Sequence, residues 1–235
     1  TGPDPELIRS IEQDLRQAQT KFAAGQEREG ILLVKQIYAV SKDIAEVDLT
    51  DEVARLLRLE TDPAKKREYA EYIAHRDAGG TKFEIQMLAC RKLLAIADSS
   101  PEAAEKTWYA LTLAYWLAGT RERKEQVLAL LDPFIDSMVF SGNFTPLVES
   151  YKVPPGDSLS TIAAKFQTTS DAIRRLNTLT TDVIQPRQRV RVLPGEAEVV
   201  VDKDAFTLSI LIDGKLLKEF RVGLGVGDST PEGEF

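Results

Sequence analysis

The chain is poor in the residues on which reactive chemistry usually draws. Its 235 residues include one cysteine and one histidine. A lone cysteine forbids an internal disulfide and leaves the redox compartment illegible. With His75 at the end of a predicted helix and one distant cysteine, neither a catalytic Cys–His pair nor a zinc site is implied. Cys90 falls with Phe83, Met87 and Leu94 at i, i+4, i+7 and i+11, the stripe of a packed helix. No window approaches the ~20 apolar residues of a membrane-spanning helix. No secretory leader pattern opens the chain, which starts at Thr1 without methionine, as a trimmed or mature form would. Basic charge is scarce too: 30 Lys and Arg stand against 37 Asp and Glu, for a net charge of −7. That balance excludes general nucleic-acid binding, which needs a basic surface to displace counterions from phosphate. Gly223, Gly225 and Gly227 miss the spacing of a phosphate-cradling loop, so no nucleotide cofactor and no metal is expected.

What is present reads as a globular chain of two or three domains, 43% hydrophobic and 29% charged. Residues 5–140 carry helical periodicity almost throughout. The expected spans are 5–24, 27–46, 51–77 with Pro63 as a break or fresh start, 81–98, 101–118 and 122–139, punctuated by Gly25, Gly79-Gly80 and Gly119. Short connections imply antiparallel neighbours. Leu15, Ala18, Phe22 and Gly25, and again Trp108, Leu111, Ala114, Tyr115 and Gly119, place small residues where two helices would cross closely. This is weakly similar to the tetratricopeptide type, at an irregular period. It leaves open a concave surface for a protein partner or a plain helical bundle. Trp108, Tyr109, Tyr115 and Trp116 have the spacing of core residues, and pairs such as Glu102 and Glu105 that of a solvated face beside Lys106.

The sign of charge changes along the chain. Residues 1–147 hold 19 basic and 24 acidic groups, residues 148–195 hold 7 and 4, and residues 196–235 hold 4 and 9. In the basic middle segment, Tyr151-Lys-Val153 reads as a strand and Pro154-Pro155-Gly156 as a turn. Asp157 or Ser158 caps a helix with Leu159, Ile162, Ala163 and Phe166 on one face. Thr168-Thr169-Ser170 caps a second short helix with Ala172, Ile173 and Leu176, which Asn177 leaves. Arg187 to Val192 alternates as a closing strand with Arg187, Arg189 and Arg191 on one face, a basic surface suited to an anionic polymer or simply solvated. The order is βααβ.

On these residues the segment 151–194 resembles the LysM domain, whose members bind N-acetylglucosamine glycans, peptidoglycan or chitin, in a shallow groove between two loops. The resemblance implies a groove lined by Gly156, Asp157, Ser158 and Leu159 on one side and by Leu179, Thr180, Asp182, Val183 and Ile184 on the other. A glycine at 156 beside Pro155 suits such a groove, since it leaves backbone groups exposed to an acetamido group. Arg187 stands where the family usually has glycine.

Past Pro194-Gly195 the pattern becomes strands: Val199–Asp202, then Thr207–Ile212, then Asp213-Gly214 as a two-residue hairpin turn into Lys215–Val222. Leu208, Ile210, Ile212 and Val222 require a facing layer, and the strand edges invite pairing. Residues 197–235, with Val222-Gly223-Leu-Gly225 and Thr230-Pro231-Glu-Gly233-Glu-Phe235, resemble the opening of the YkuD-type L,D-transpeptidase domain. That family attacks a peptidoglycan stem-peptide carbonyl with a cysteine thiolate activated by histidine, releases D-alanine, and passes the acyl group to a neighbouring stem amine. Its His and Ser-x-Gly-Cys lie downstream of the Thr-Pro-x-Gly-x-Phe element and are absent here, so the chain has no catalytic residue of that reaction. Phe235 is accordingly expected to be an artificial or proteolytic end.

The expectation is therefore a multidomain α + (α+β) chain: a helical-repeat or bundle domain at 1–147, a βααβ peptidoglycan-binding module at 148–195, and a partial antiparallel β domain at 196–235. Its setting is the bacterial cell envelope, its partner peptidoglycan. It derives from an L,D-transpeptidase or, alternatively, is a non-enzymatic scaffold whose helical domain recruits a protein.

Overall fold

The computed structural model describes residues 4–77 and 79–223, with Gly225 and Gly233. The chain forms two compact units, residues 1–86 with 115–124 and residues 87–114 with 125–235. The described residues make a helical amino-terminal region followed by two small antiparallel sheets, and no helix among them is long and apolar enough to cross a membrane.

In the first unit α1 (Pro5–Ala23), α2 (Glu27–Ser41), α3 (Thr50–Leu59) and α4 (Pro63–Arg76) follow each other through short loops. Asp4 and Asp62 cap α1 and α4 by accepting from the N–H groups of Glu6 and Ala64. Pro63 thus starts a new helix, because proline at the first position gives up an N–H that had no partner anyway. The span expected to reach residue 46 ends at Ser41. The chain bends there to bury Val47 and Leu49, and the Leu49 N–H finds the Tyr72 hydroxyl at 3.2 Å. Tyr38 meets Tyr69 and Tyr72 edge-on at centroid distances of 5.1 and 5.2 Å, in the arrangement aromatic quadrupoles favour.

Glu60 closes the α3–α4 turn by accepting from the N–H groups of Thr61 and Asp62 and from Lys35. Hydrogen bonds to its charged form, that of Thr61 first, hold its carboxyl below the ordinary 4.5. Stability from a depressed carboxyl is fully present above the unfolded value and is lost as pH falls through the lower folded one. An acid titration of thermal stability is therefore expected to fall below about pH 4.5, and Glu60→Gln to flatten part of that limb. An unchanged limb would remove Glu60 from the acid response.

The helices α5 (Thr81–Leu94), α6 (Pro101–Leu117) and α7 (Arg121–Ile135) complete the helical region, and α7 runs on into a π-helical turn at Asp136–Phe140. Phe83, Met87 and Cys90 are buried, as are Trp108, Tyr115 and Trp116.

In the second unit β1 (Glu149–Lys152) pairs antiparallel with β2 (Arg189–Val192), and α8 (Leu159–Lys165) and α9 (Ser170–Leu176) lie between them in sequence. The second sheet is a meander of β3 (Ala197–Asp202), β4 (Thr207–Ile212) and β5 (Lys215–Arg221). Asp213 and Gly214 both have positive φ, 47° and 71°, the signature of the hairpin turn that matches strand twist.

Burial on this sheet departs from the expectation. Thr207, Ser209, Leu211 and Ile212 are the buried positions of β4, while Leu208 and Ile210 are half-buried beside exposed Val199, Val201 and Phe220. The covering element for β5 is α6. Trp108 Nε1 donates to the Leu216 carbonyl at 2.7 Å, and the Leu216 N–H donates to Thr112 Oγ1 at 3.0 Å. Two side chains one helical turn apart thereby occupy an outward-facing backbone pair of an edge strand, which removes it as a site for adding another strand. Lys215 pairs with Glu105 at 2.8 Å, and Lys218 with Asp132 and Asp136 at 3.1 and 2.9 Å. The Thr-Pro-x-Gly-x-Phe element lies outside the described residues except Gly233.

Candidate functional site

The βααβ module has its own core: Val153, Leu159, Ile162, Ala163, Ile173, Val190 and Val192, with Tyr151, Phe166, Leu179 and Ile184 packed around it. Each helix starts where a hydroxyl can accept an orphan N–H. Ser158 and Thr161 form a reciprocal capping box on α8, and Thr169 accepts from the Ala172 N–H on α9. Asn177 does more than end α9. Its amide accepts from the Arg191 N–H and donates to the Arg191 carbonyl, both at 2.8 Å, so it pairs with β2 as a strand residue would and fixes the helix to the sheet. Sequence reasoning missed this role.

The first predicted loop follows β1. Gly156 has φ of +93° and is exposed, and a Cβ built there would meet nothing within 4 Å. Tyr151 donates its hydroxyl to Asp157 at 2.6 Å, and that bond raises the phenol pKa so the donor stays protonated. Lys165 Nζ stands 4.7 Å from the Tyr151 ring centroid. Ser158 is exposed, whereas Leu159 is buried in the module core and offers a ligand no side-chain surface.

The second predicted loop follows α9. Leu179 and Ile184 lean on the core, and Thr180, Asp182 and Val183 face solvent. Val183 is 75% exposed, a branched apolar side chain held in water. Thr180, Thr181 and Asp182 also wall a polar cleft of about 460 Å³ with Ser170, Asp171 and Arg174 of α9. No residue of the first loop lines that cleft.

Arg187 explains its own departure from the family. Gln185 to Gln188 is a turn closed by the Gln188 N–H on the Gln185 carbonyl at 3.0 Å, with Pro186 second and Arg187 third at φ +72°. The third position of such a turn demands positive φ, which glycine adopts freely and other residues at about 1 kcal/mol. Arg187 holds the glycine conformation and adds an exposed cation.

The shared basic face is corrected. Arg189 is exposed and donates to Ser150 Oγ, but Arg191 is only 6% exposed. Its guanidinium donates to the carbonyls of Leu176, at the end of α9, and Val139, in the π turn. Burial lowers its pKa, and its Nε has no partner. The alternation of the strand was legible, but what covered its second face was not. Among the described residues no cluster of His, Cys, Asp and Glu could hold a metal ion.

No curated protein and no solved structure matches the chain. The LysM domain family matches residues 151–192, so this module is a LysM domain, which supports binding of peptidoglycan or another N-acetylglucosamine glycan and is typical of cell-wall-associated proteins.

Proposed function

We propose that the chain holds a cell-envelope protein on peptidoglycan through the groove between residues 156–159 and 179–184. The observation that carries this reading is a pair of loops built to face outward. Gly156 leaves backbone exposed at a conformation closed to most side chains, and Val183 keeps an apolar surface in water that the face of a sugar ring would cover. Asp157, Ser158, Thr180 and Asp182 supply acceptors and hydroxyls for sugar hydroxyl and acetamido groups. Leu159, Leu179 and Ile184 support the loops from beneath.

Sedimentation with purified peptidoglycan tests this. Gly156→Trp is expected to weaken retention about tenfold or more, a loss on the order of 1.4 kcal/mol. Gly156→Ala shares the backbone strain without the bulk and is expected to stay within a few-fold of the parent. Equal retention of all three proteins would exclude the groove.

The proposed origin is an L,D-transpeptidase, with the helical domain at 1–147, the glycan module at 148–195 and the start of the catalytic domain at 196–235. The open apolar face of Val199, Val201 and Phe220 supports it, being a surface that further layers of such a domain would cover. The alternative is a non-enzymatic scaffold, favoured by the clamp of α6 on Leu216, which seats the tail on helices. An intact mass in the source cells well above 26.1 kDa supports the enzyme, and a mass equal to it supports the scaffold.

A further inference from the structure

The strand β3 is an edge of the three-stranded sheet, and one bond fixes which of its backbone groups face outward. The Asp213 N–H donates to the Glu196 carbonyl at 3.0 Å, one step beyond the Ala197–Ile212 pair. By the alternation of an antiparallel ladder, Glu198, Val200 and Asp202 then turn their N–H and C=O groups toward β4. Ala197, Val199 and Val201 turn theirs away from the sheet. Among the described residues those outward groups meet no partner. The opposite edge differs, because Trp108 and Thr112 occupy the backbone of Leu216.

Native edges are blunted by proline, lysine, a bulge or a covering element. Ala197–Asp202 has no proline, no lysine and no register shift against β4, and Val199 and Val201 are 59% and 45% exposed. It is a flat template for a further strand. Next to the two valines, Leu208, Ile210 and Phe220 continue the same open apolar face across the sheet.

Charge selects the occupant. Glu196 and Glu198 are exposed and, among the described residues, form no ion pair. Setting Val199 opposite Val201 of a second copy sets Glu198 opposite Asp202, and setting Val199 opposite its own copy sets Glu196 opposite Asp202. Like charges directly opposite destabilise a pair, so the edge repels itself. A strand that carries cations on the side of Glu198 and apolar groups on the side of Val199 meets neither obstacle.

We propose that the β3 edge binds an extended segment of another protein in which apolar residues alternate with Lys or Arg, adding a fourth strand to the sheet. Its apolar residues lie beside Ala197, Val199 and Val201, and its cations face Glu196 and Glu198. The site is independent of the glycan groove.

Fluorescence anisotropy of the whole chain with labelled acetyl-Val-Lys-Val-Lys-Val-amide tests it. Binding is expected to be about tenfold tighter than to Val-Glu-Val-Glu-Val, and about tenfold tighter than to the lysine peptide N-methylated at its valines, which keeps the charge and loses the ladder. Amide exchange at Val199 and Val201 is expected to slow on binding. Glu196→Lys with Glu198→Lys should reverse the preference between the two charged peptides. Val199→Pro, which removes an N–H that the sheet does not use, should weaken binding at least tenfold. Equal binding of the N-methylated peptide, an unchanged charge preference in the double variant, or self-association of the chain that Val199→Pro abolishes would each overturn the proposal, the last by making a second copy the occupant.

Discussion

Trp108→Ala is expected to cost about 4 kcal/mol of stability, within the range for truncating a fully buried tryptophan. The indole is 1% exposed, and it also donates its N–H to the Leu216 carbonyl while Lys215 Nζ lies 4.9 Å from its ring centroid. Truncation removes apolar burial, opens a cavity and leaves that carbonyl without its donor. Trp108→Phe separates the terms. It retains most of the ring volume and deletes the donor, so about 1–2 kcal/mol is expected. Urea denaturation measures both, and amide exchange at Leu216 reads the local consequence, since its N–H is held by Thr112 on the same helix. If Trp108→Phe is neutral, packing alone seats β5 on α6.

The second large effect is expected at Arg191. Arg191→Ala should destabilise by about 3 kcal/mol, because two helix-end carbonyls lose a charge-assisted donor and the buried stem leaves a void. Opposing this is the cost of keeping a guanidinium out of water without a carboxylate, with Nε unpartnered. The helix ends offset that cost, since the carbonyls of Leu176 and Val139 carry the partial negative charge of their helices' C-termini. Arg191→Met keeps the stem and removes both the donors and the buried charge. It is expected to cost clearly less than alanine, about 1 kcal/mol. Thermal melts in low and high salt distinguish the accounts, because a buried contact is little screened. Marked salt sensitivity of the parent protein that vanishes in Arg191→Met would place the charge at the surface instead.

How far the sequence was legible follows the range of the forces. Asp62-Pro63, Ser158 with Thr161, Thr169 and Asp213-Gly214 act within four residues of themselves, and each cap or turn stands where local chemistry put it. The βααβ order of the LysM module was legible for the same reason. Its loops were legible by position, but the division of Leu159 inward and Val183 outward depends on how two helices pack on a two-stranded sheet. Arg191 shows the limit of pattern reading. Alternation assigned it to the face of Arg189, and it does share that side of the strand, but residues near 139 cover that end and leave Arg189 in water.

By itself, then, the sequence determined most of the helical and strand segments, their caps and the LysM module. Those properties arise from periodicity, φ preference and composition, which neighbouring residues carry among themselves. Only the tertiary structure decided that Trp108 and Thr112 hold β5 and that Arg191 joins two helix ends. These juxtapose residues 15 to 108 positions apart, and no local rule encodes which distant groups will meet.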